Sequence, residues 1–147
     1  MRITFEVIGI PKPQARPRVF VNKGKVFAHS PKTSYFESVK TNAYEQRIKT
    51  NRQLSGALEL NIFFELPYPK SMSKKKRTEN VFVITRPDID NYIKAVMDAI
   101  NNSGLWIDDS QVVGLKASKY YTSGIPKTII KITELESRWT EKLYLKS

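Results

Sequence analysis

The alternation of apolar residues between positions 57 and 66 constrains the fold more than any other feature of the chain. Every second residue in this stretch is large and apolar: Leu58, Leu60, Ile62, Phe64 and Leu66. A period of two is typical of a β-strand that has one face in a hydrophobic core. Pro67 and Pro69 end the pattern, because proline cannot donate a hydrogen bond to a sheet. A sheet with one covered face is therefore the expected centre of the fold.

Further strands and helices are predicted on both sides of this strand. Residues 3–10 alternate as an opening strand, and residues 19–27 have the pattern of a small hairpin that turns at Gly24. Residues 112–121 and 127–134 predict two strands that are joined by a turn and pair with each other. A helix is predicted to begin at Ser30-Pro31 and to end near Lys49. Five of its side chains are expected to face inward: Tyr35, Phe36, Val39, Ala43 and Ile48.

The stretch from Thr85 to Val113 places four carboxylates around a second predicted helix. The acids are Asp88 and Asp90 before the helix, and Asp108 and Asp109 after it. One helix face is apolar, with Ile93, Val96, Met97 and Ile100. Asp90 is predicted to be the N-cap, and Gly104 is predicted to end the helix. The element order then predicts an α+β domain over residues 1–134, with a mixed β-sheet packed by helices.

The net charge restricts the range of partners. The 147 residues include 25 Lys and Arg against 14 Asp and Glu, which gives +11 at pH 7. Such an excess favours a polyanionic partner, and nucleic acid is the commonest one. The absence of cysteine excludes disulfides and thiolate metal sites. No stretch is apolar enough to span a bilayer and no signal peptide is recognisable, so a soluble cytoplasmic protein with no membrane partner is expected.

Eight basic residues are the candidates for DNA contact. They are Arg16, Arg18, Lys74, Lys75, Lys76, Arg77, Arg86 and Lys119. The first two lie in a proline-rich extended segment, where guanidinium groups match phosphate oxygens. The next four form a run that Ser71 or Ser73 is expected to cap as a short helix. The alternative for each group is an ordinary solvated surface charge.

The acids have the chemistry of a metal-dependent nuclease. Mg²⁺ prefers carboxylate oxygens, supplies a nucleophilic water and offsets transition-state charge. The Asp-x-Asp pair, joined by one aspartate of positions 108–109, gives about the right number of ligands. Lys94 lies one turn after Asp90, and its ammonium is expected to point at the phosphate or the leaving oxygen. An Asp-x-Asp pair alone favours a simple helix cap. The combination of four acids with a lysine, in a chain of +11, favours the nuclease.

Other polar residues near the acids are expected to have structural roles. Asp98, two turns beyond Asp90, is expected to pair with Lys94 or Asn101. Asp108 and Asp109 point to opposite faces of an extended segment, so both cannot easily be ligands. His29 is interpreted as a surface residue.

Several segments of the chain occur together in one known family. They are TRPDIDN at 85–91 with Lys94, Asp98 and Ala99, WIDDSQV at 106–112, PKPQARPR at 11–18, SPKT at 30–33 and PKSMSKKKR at 69–77. With these segments the chain resembles the RusA family of Holliday junction resolvases. The resemblance covers nearly the whole chain to about residue 133. Residues 137–147 have no recognisable counterpart.

The resemblance implies a homodimeric, Mg²⁺-dependent endodeoxyribonuclease that resolves four-way DNA junctions by paired nicks. Mn²⁺ is expected to substitute for Mg²⁺, and members of the family are bacterial and often prophage-borne. By motif position, the catalytic acids and metal ligands are Asp88, Asp90 and Asp109, and the essential lysine is Lys94. Asp108 is then expected to shape the turn. A homodimer suits a substrate with two equivalent strands to cut.

Two other functions remain open from the sequence. One is a less selective Mg²⁺ nuclease that cuts flaps or other branched DNA. The other is a non-catalytic nucleic-acid-binding module whose acids are structural. Residues 135–147 are interpreted as a C-terminal extension, in which Leu135, Trp139 and Leu143 recur at every fourth position and predict an amphipathic helix.

Overall fold

Six strands and two helices are formed in the part of the chain that the computed structural model describes, residues 1–15, 17–29, 31–77 and 81–136. In chain order they are β1 (Arg2–Ile8), β2 (Arg18–Asn22), β3 (Lys25–His29), α1 (Ser34–Thr50), β4 (Leu58–Pro67), α2 (Ile89–Ser103), β5 (Val112–Thr122) and β6 (Lys127–Glu134). Short 3₁₀ turns occupy Lys74–Lys76 and Asp109–Gln111. The predicted α+β fold is confirmed.

The main sheet has four strands in the order β1-β6-β4-β5. β6 is antiparallel to both of its neighbours, β1 and β4, whereas β4 and β5 are parallel. The sheet is therefore mixed, as predicted. The predicted pairing of β5 with β6 is wrong, because β4 lies between these two strands and pairs with both. A parallel pair needs a crossover connection, and α2 is that crossover. Consequently α2 begins near the edge of the sheet where β4 ends, and it finishes near the edge where β5 starts.

The core lies between the two helices and one face of the sheet. The alternation predicted for β4 is confirmed, because Leu58, Leu60, Ile62 and Phe64 are fully buried. They share one hydrophobic cluster with the apolar face of α2 and with α1. Each such side chain stabilises the fold by about 1.5–3 kcal/mol relative to an exposed position. This burial holds α2 against the sheet and fixes where its two ends lie.

The predicted start and inner face of α1 need correction. The helix begins at Ser34, and not at Ser30-Pro31, because the hydroxyl of Thr33 accepts a hydrogen bond from the Phe36 N–H at 3.1 Å and caps it. Ile48 was predicted to face inward but is 61% exposed. It lies five residues after buried Ala43, which places it about 140° further around the helix at 100° per residue. The other four inward predictions are confirmed.

The predicted N-cap of α2 also needs correction. Asp88 occupies the N-cap position with an extended backbone, and Asp90 lies inside the first turn. The reason is that the helical turn already closes at Asp88, whose carbonyl accepts from the Asn91 N–H at 3.1 Å. The predicted end is confirmed, because Gly104 adopts the left-handed conformation at φ 73° that glycine tolerates best.

The predicted hairpin is confirmed as a separate two-stranded sheet of β2 and β3. It turns at Lys23 and Gly24, both of which have positive φ. Other predictions lie outside the described residues. These are the DNA contact of Arg16, the exposure of the His29 side chain and the helix predicted beyond residue 136. No helix in the described ranges is long and apolar enough to cross a membrane.

Candidate active site

The start of α2 presents two exposed carboxylates. Asp88 is the N-cap but its side chain makes no capping hydrogen bond, and Asp90 follows in the first turn. Both residues are exposed. The free backbone N–H groups at a helix start carry partial positive charge, which favours anions at this position. The pair therefore offers carboxylate oxygens that helix capping has not used.

A groove of about 440 Å³ lies beside Asp88. One wall is the proline-rich segment, residues 13–15, and the other is formed by Arg86, Pro87, Asp88 and Asn91. The Gln14 N–H donates to the Asn91 carbonyl at 3.0 Å, which fastens the proline-rich segment to the first turn of α2. The exposed Arg86 lines this groove together with Asp88.

Lys119 of β5 holds the loop that leads into Asp88. Its ammonium donates to the carbonyls of Thr85 and Pro87, each at 2.7 Å. The preceding segment pairs with the same strand, where the Val83 N–H donates to the Lys119 carbonyl at 3.1 Å. Lys119 was predicted to contact DNA, and that contact stays a prediction. The structure adds that its ammonium positions the loop.

Lys94 pairs with Asp98 one turn further along α2, with 3.9 Å between the ammonium and a carboxylate oxygen. This is one of the two pairings predicted for Asp98, and it is confirmed. The Lys94 side chain is 63% exposed. Exposed pairs of this kind contribute at most about 1 kcal/mol. The ammonium can therefore leave Asp98 for a stronger anion such as a phosphate.

The basic run forms a short 3₁₀ turn at the place where a short helix was predicted. Lys74–Lys76 are exposed and Ser73 is the N-cap residue, although its hydroxyl makes no capping hydrogen bond. Arg77 is turned toward its own loop, where its guanidinium donates to the carbonyls of Met72 and Pro69. The turn follows the end of β4 and so lies at the same sheet edge as the start of α2. Arg18 is exposed at the beginning of β2.

The second acidic motif forms a tightly hydrogen-bonded turn. Asp108 is the N-cap of the 3₁₀ turn and accepts from the Ser110 N–H at 3.2 Å. Hydrogen bonds from Ser110 lower the pKa of Asp108 below its usual value. The expected turn role of Asp108 is thus confirmed. Asp109 is the first residue of the turn and is half-buried.

The two acidic motifs lie at opposite ends of α2. Near the start of α2, the ring of Tyr92 packs on the ring of Phe64, late in β4, with 5.3 Å between the ring centroids. The turn with Asp109 precedes Val112, which pairs with Leu58 at the start of β4. A helix of 15 residues spans about 22 Å. Within the described ranges, no three His, Cys, Asp or Glu side chains are grouped to hold a metal ion. The ligand set of three aspartates therefore stays a prediction.

Two residues of this region gained roles that the sequence interpretation did not give them. Lys119 was considered only as a DNA contact, and no local pattern indicates that its ammonium reaches Thr85 and Pro87. Gln111 was not singled out, although its spacing from Asp108 is that of a capping box. The structure shows that box, with the Gln111 side chain accepting from the Asp108 N–H at 2.9 Å.

The family model for "Endodeoxyribonuclease RusA" matches residues 9–133. The protein named "Uncharacterized protein YqaN" of Bacillus subtilis (strain 168) is 38% identical over 143 residues, which cover 92% of this chain and 98% of that protein. The "Crossover junction endodeoxyribonuclease RusA" of Escherichia coli (strain K12) is 38% identical over 50 residues, which cover 34% of this chain and 42% of that protein.

Proposed function

Because the chain belongs to the RusA family of endodeoxyribonucleases, we propose that it resolves four-way DNA junctions as a Mg²⁺-dependent homodimer. It does so by paired symmetric nicks. The observation that carries the proposal is the extent of the family match. Residues 9–133 include both acidic motifs and Lys94 between them. The proposed catalytic residues are Asp88, Asp90, Lys94 and Asp109.

The carboxylates at the start of α2 fit a hard divalent cation. Asp88 and Asp90 are exposed and two residues apart, and the Asp88 side chain makes no capping hydrogen bond. Mg²⁺ is commonly bound by one or two carboxylates and keeps several of its waters. When bound, it supplies an activated water and offsets the charge of the transition state. Mn²⁺ prefers the same oxygen ligands and substitutes for it.

The separation of the two acidic motifs supports a homodimer. The crossover connection puts Asp109 about a helix length away from Asp88 and Asp90 in one chain. A site that contains all three carboxylates therefore takes Asp109 from a second chain. Such a symmetric dimer has two equivalent sites for the two strands of a junction. Exposed apolar residues close to Asp109 in sequence support the dimer, because Ile107, Val113 and Leu115 are 62%, 66% and 49% exposed.

Lys94 and the helix start provide positive charge for the reacting phosphate. The ammonium of Lys94 leaves its weak pairing with Asp98 and contacts the phosphate or the leaving oxygen. Backbone N–H groups at the start of α2 add partial positive charge at the same place. Lys119 keeps the loop before Asp88 in position through its two carbonyl contacts. These groups stabilise the charge that develops as the phosphodiester is cut.

Binding of DNA depends on shape and on phosphate contacts. The exposed lysines at 74–76, together with Arg86, lie at the sheet edge where α2 starts. Arg16, Arg18, Arg77 and Lys119 complete the set of candidates. Contacts of lysine and arginine with phosphates give affinity without sequence information, and they make binding strongly dependent on salt.

Incubation with a labelled mobile four-way junction, with and without Mg²⁺, tests the proposal. Symmetric nicks across the junction that require Mg²⁺ or Mn²⁺ are the expected result. Equal cutting of duplex and flap DNA would instead indicate a less selective nuclease. Binding without cutting in either ion would reduce the chain to a nucleic-acid-binding module and contradict the proposal.

A further inference from the structure

The side chain of Gln111 uses every hydrogen-bonding atom of its amide. Its oxygen accepts from the N–H groups of Ile107 and Asp108, at 2.7 Å and 2.9 Å. Its nitrogen donates to the carbonyls of Leu54 and Gly56, at 3.1 Å and 2.9 Å. An amide has two acceptor lone pairs and two N–H donors, so all four positions are occupied.

These four bonds join two segments that have little regular structure of their own. One is the acidic turn, residues 107–111, and the other is the stretch at 54–56 that leads into β4. Nearby, the Leu54 N–H also donates to the Leu105 carbonyl, and a bridge pairs Leu54 with Trp106. Both of these contacts lie before the turn. Within the described residues, the hydrogen bonds that join the turn itself to the segment before β4 are thus those of the Gln111 side chain.

Asp109 lies between the two anchored ends of this turn. Asp108 precedes it and is held by the Gln111 oxygen, and Gln111 closes the turn with its own N–H bonded to the Asp108 carbonyl at 3.1 Å. The backbone of Asp109 is therefore fixed on both sides. A carboxylate that binds a metal needs this kind of outer support, because a shift of about 1 Å is enough to spoil the site.

We infer that Gln111 is a positioning residue that sets the Asp109 carboxylate for metal binding, an inference that rests on the proposed function. No other side chain can replace it. Glutamate lacks the two donors and would repel the Leu54 and Gly56 carbonyls. Lysine lacks an acceptor, and asparagine is one methylene too short to reach both segments.

The replacement Gln111→Met tests the inference, because methionine keeps the length of the side chain and removes all four bonds. A matched control is Gln53→Met. Gln53 donates from the same neighbourhood to the carbonyls of Gly104 and Trp106, which precede the turn at 107–111. Both variants lose side-chain hydrogen bonds to the backbone. Only Gln111→Met loses the hydrogen bonds that hold the backbone next to Asp109.

Binding of Mn²⁺ to the dimer, followed by electron paramagnetic resonance without DNA, is the first readout. We expect Gln111→Met to weaken Mn²⁺ binding by about 10–100-fold, the usual effect of removing outer support from a metal ligand. In the nicking assay, the same variant needs more Mg²⁺ for half-maximal rate while its junction affinity without metal is unchanged. Gln53→Met matches the wild type in all three measurements. Equal Mn²⁺ affinity of Gln111→Met and the wild type would overturn the inference.

Hydrogen exchange separates failure of this inference from failure of the proposed function. The Ile107 and Asp108 amides should exchange faster in Gln111→Met, whereas the amides of α2 and β5 stay protected. Unchanged exchange at these two amides would show that Gln111 does not hold the turn and would overturn the inference. If the wild type bound Mn²⁺ but cut no junction, the proposed function would fail, while the Mn²⁺ and exchange measurements would still decide the role of Gln111.

Discussion

The two ends of α2 carry the two acidic motifs of this chain, and they are built differently. At the start, Asp88 and Asp90 are exposed, next to a groove and near a basic turn, and the Asp88 side chain makes no capping hydrogen bond. At the far end, the turn with Asp109 is closed by a capping box and tied to the segment before β4 by one glutamine. The first end is therefore open to a ligand, while at the second end hydrogen bonds hold the backbone on both sides of Asp109.

The largest expected effect is on catalysis at the open end. We predict that Asp90→Asn lowers the rate of junction cutting by about a thousandfold, because it removes a proposed metal ligand. Junction binding should stay the same or become tighter, since a negative charge near phosphate is removed. Cleavage rates and gel-shift affinities measure the two effects.

Asp98→Asn on the same helix is the control for this replacement. The Asp98 carboxylate forms a weak pair with the exposed Lys94, so we expect a small change in the rate. Equal cutting rates for Asp90→Asn and Asp98→Asn would show that the Asp90 carboxylate has no role in catalysis.

The next effect concerns the loop that Lys119 holds. We predict that Lys119→Met lowers the cutting rate by about 10–100-fold, because the loop before Asp88 loses both bonds to the ammonium. Junction affinity should change less, since the ammonium is engaged by carbonyls. A loss confined to affinity, with normal rate at saturating junction, would identify Lys119 as a DNA contact and not as a positioning residue.

A smaller effect is expected for the basic turn near the open end. Replacing Lys74, Lys75 and Lys76 together by alanine should weaken junction binding by about tenfold or more at moderate salt. The slope of log affinity against log salt should decrease by about 0.9 for each phosphate that the variant no longer neutralises. The matching triple replacement by arginine keeps the charge and should keep the slope. Identical slopes for the alanine variant and the wild type would show that these three lysines do not neutralise phosphates.

The smallest effect concerns stability at high pH. Burial and the neighbouring Glu65 carboxylate raise the pKa of Tyr120 to about 12. The raised pKa means that the folded chain keeps the tyrosine proton which the unfolded chain releases from about pH 10. The contribution of Tyr120 to the free energy of unfolding is therefore fully present below pH 10 and is lost as the pH rises toward 12.

Tyr120→Phe removes this titration together with one hydrogen bond to Glu65, at a cost of about 1 kcal/mol at neutral pH. The free energy of unfolding in urea should then fall less steeply between pH 10 and 12 than in the wild type. The comparison at equal pH cancels the titration of the lysines. Parallel pH profiles for the two proteins would contradict the raised pKa.

Most of the fold could be predicted from periodicity, but the relation between the two acidic motifs could not. The alternation in β4 and the apolar face of α2 are local patterns, and burial confirmed them. One aspartate of positions 108–109 was expected to join Asp88 and Asp90 at one metal site. The parallel pairing of β4 with β5 keeps the two motifs apart, since α2 must cross from one sheet edge to the other. Strand direction depends on long-range pairing, which no local pattern encodes.

The details of the site show the same limit. Asp90 has the residue type of a good N-cap, but the turn already closes one step earlier, at Asp88. The Lys119 ammonium reaches residues 32 and 34 positions away in sequence, and such contacts exist only once the sheet has formed. The capping box of Asp108 and Gln111, by contrast, was visible in the spacing of the residues.

Dimers with two differently mutated subunits test whether Asp88 and Asp90 of one chain and Asp109 of another serve one metal site. An Asp90→Asn subunit and an Asp109→Asn subunit, each with its own tag, can be purified as a mixed dimer. We expect both parent dimers to fail to cut a junction, whereas the mixed dimer keeps one intact site and nicks one strand. A mixed dimer as inactive as its parents would show that all three acids must come from the same chain, and would rule out a metal site shared between two chains.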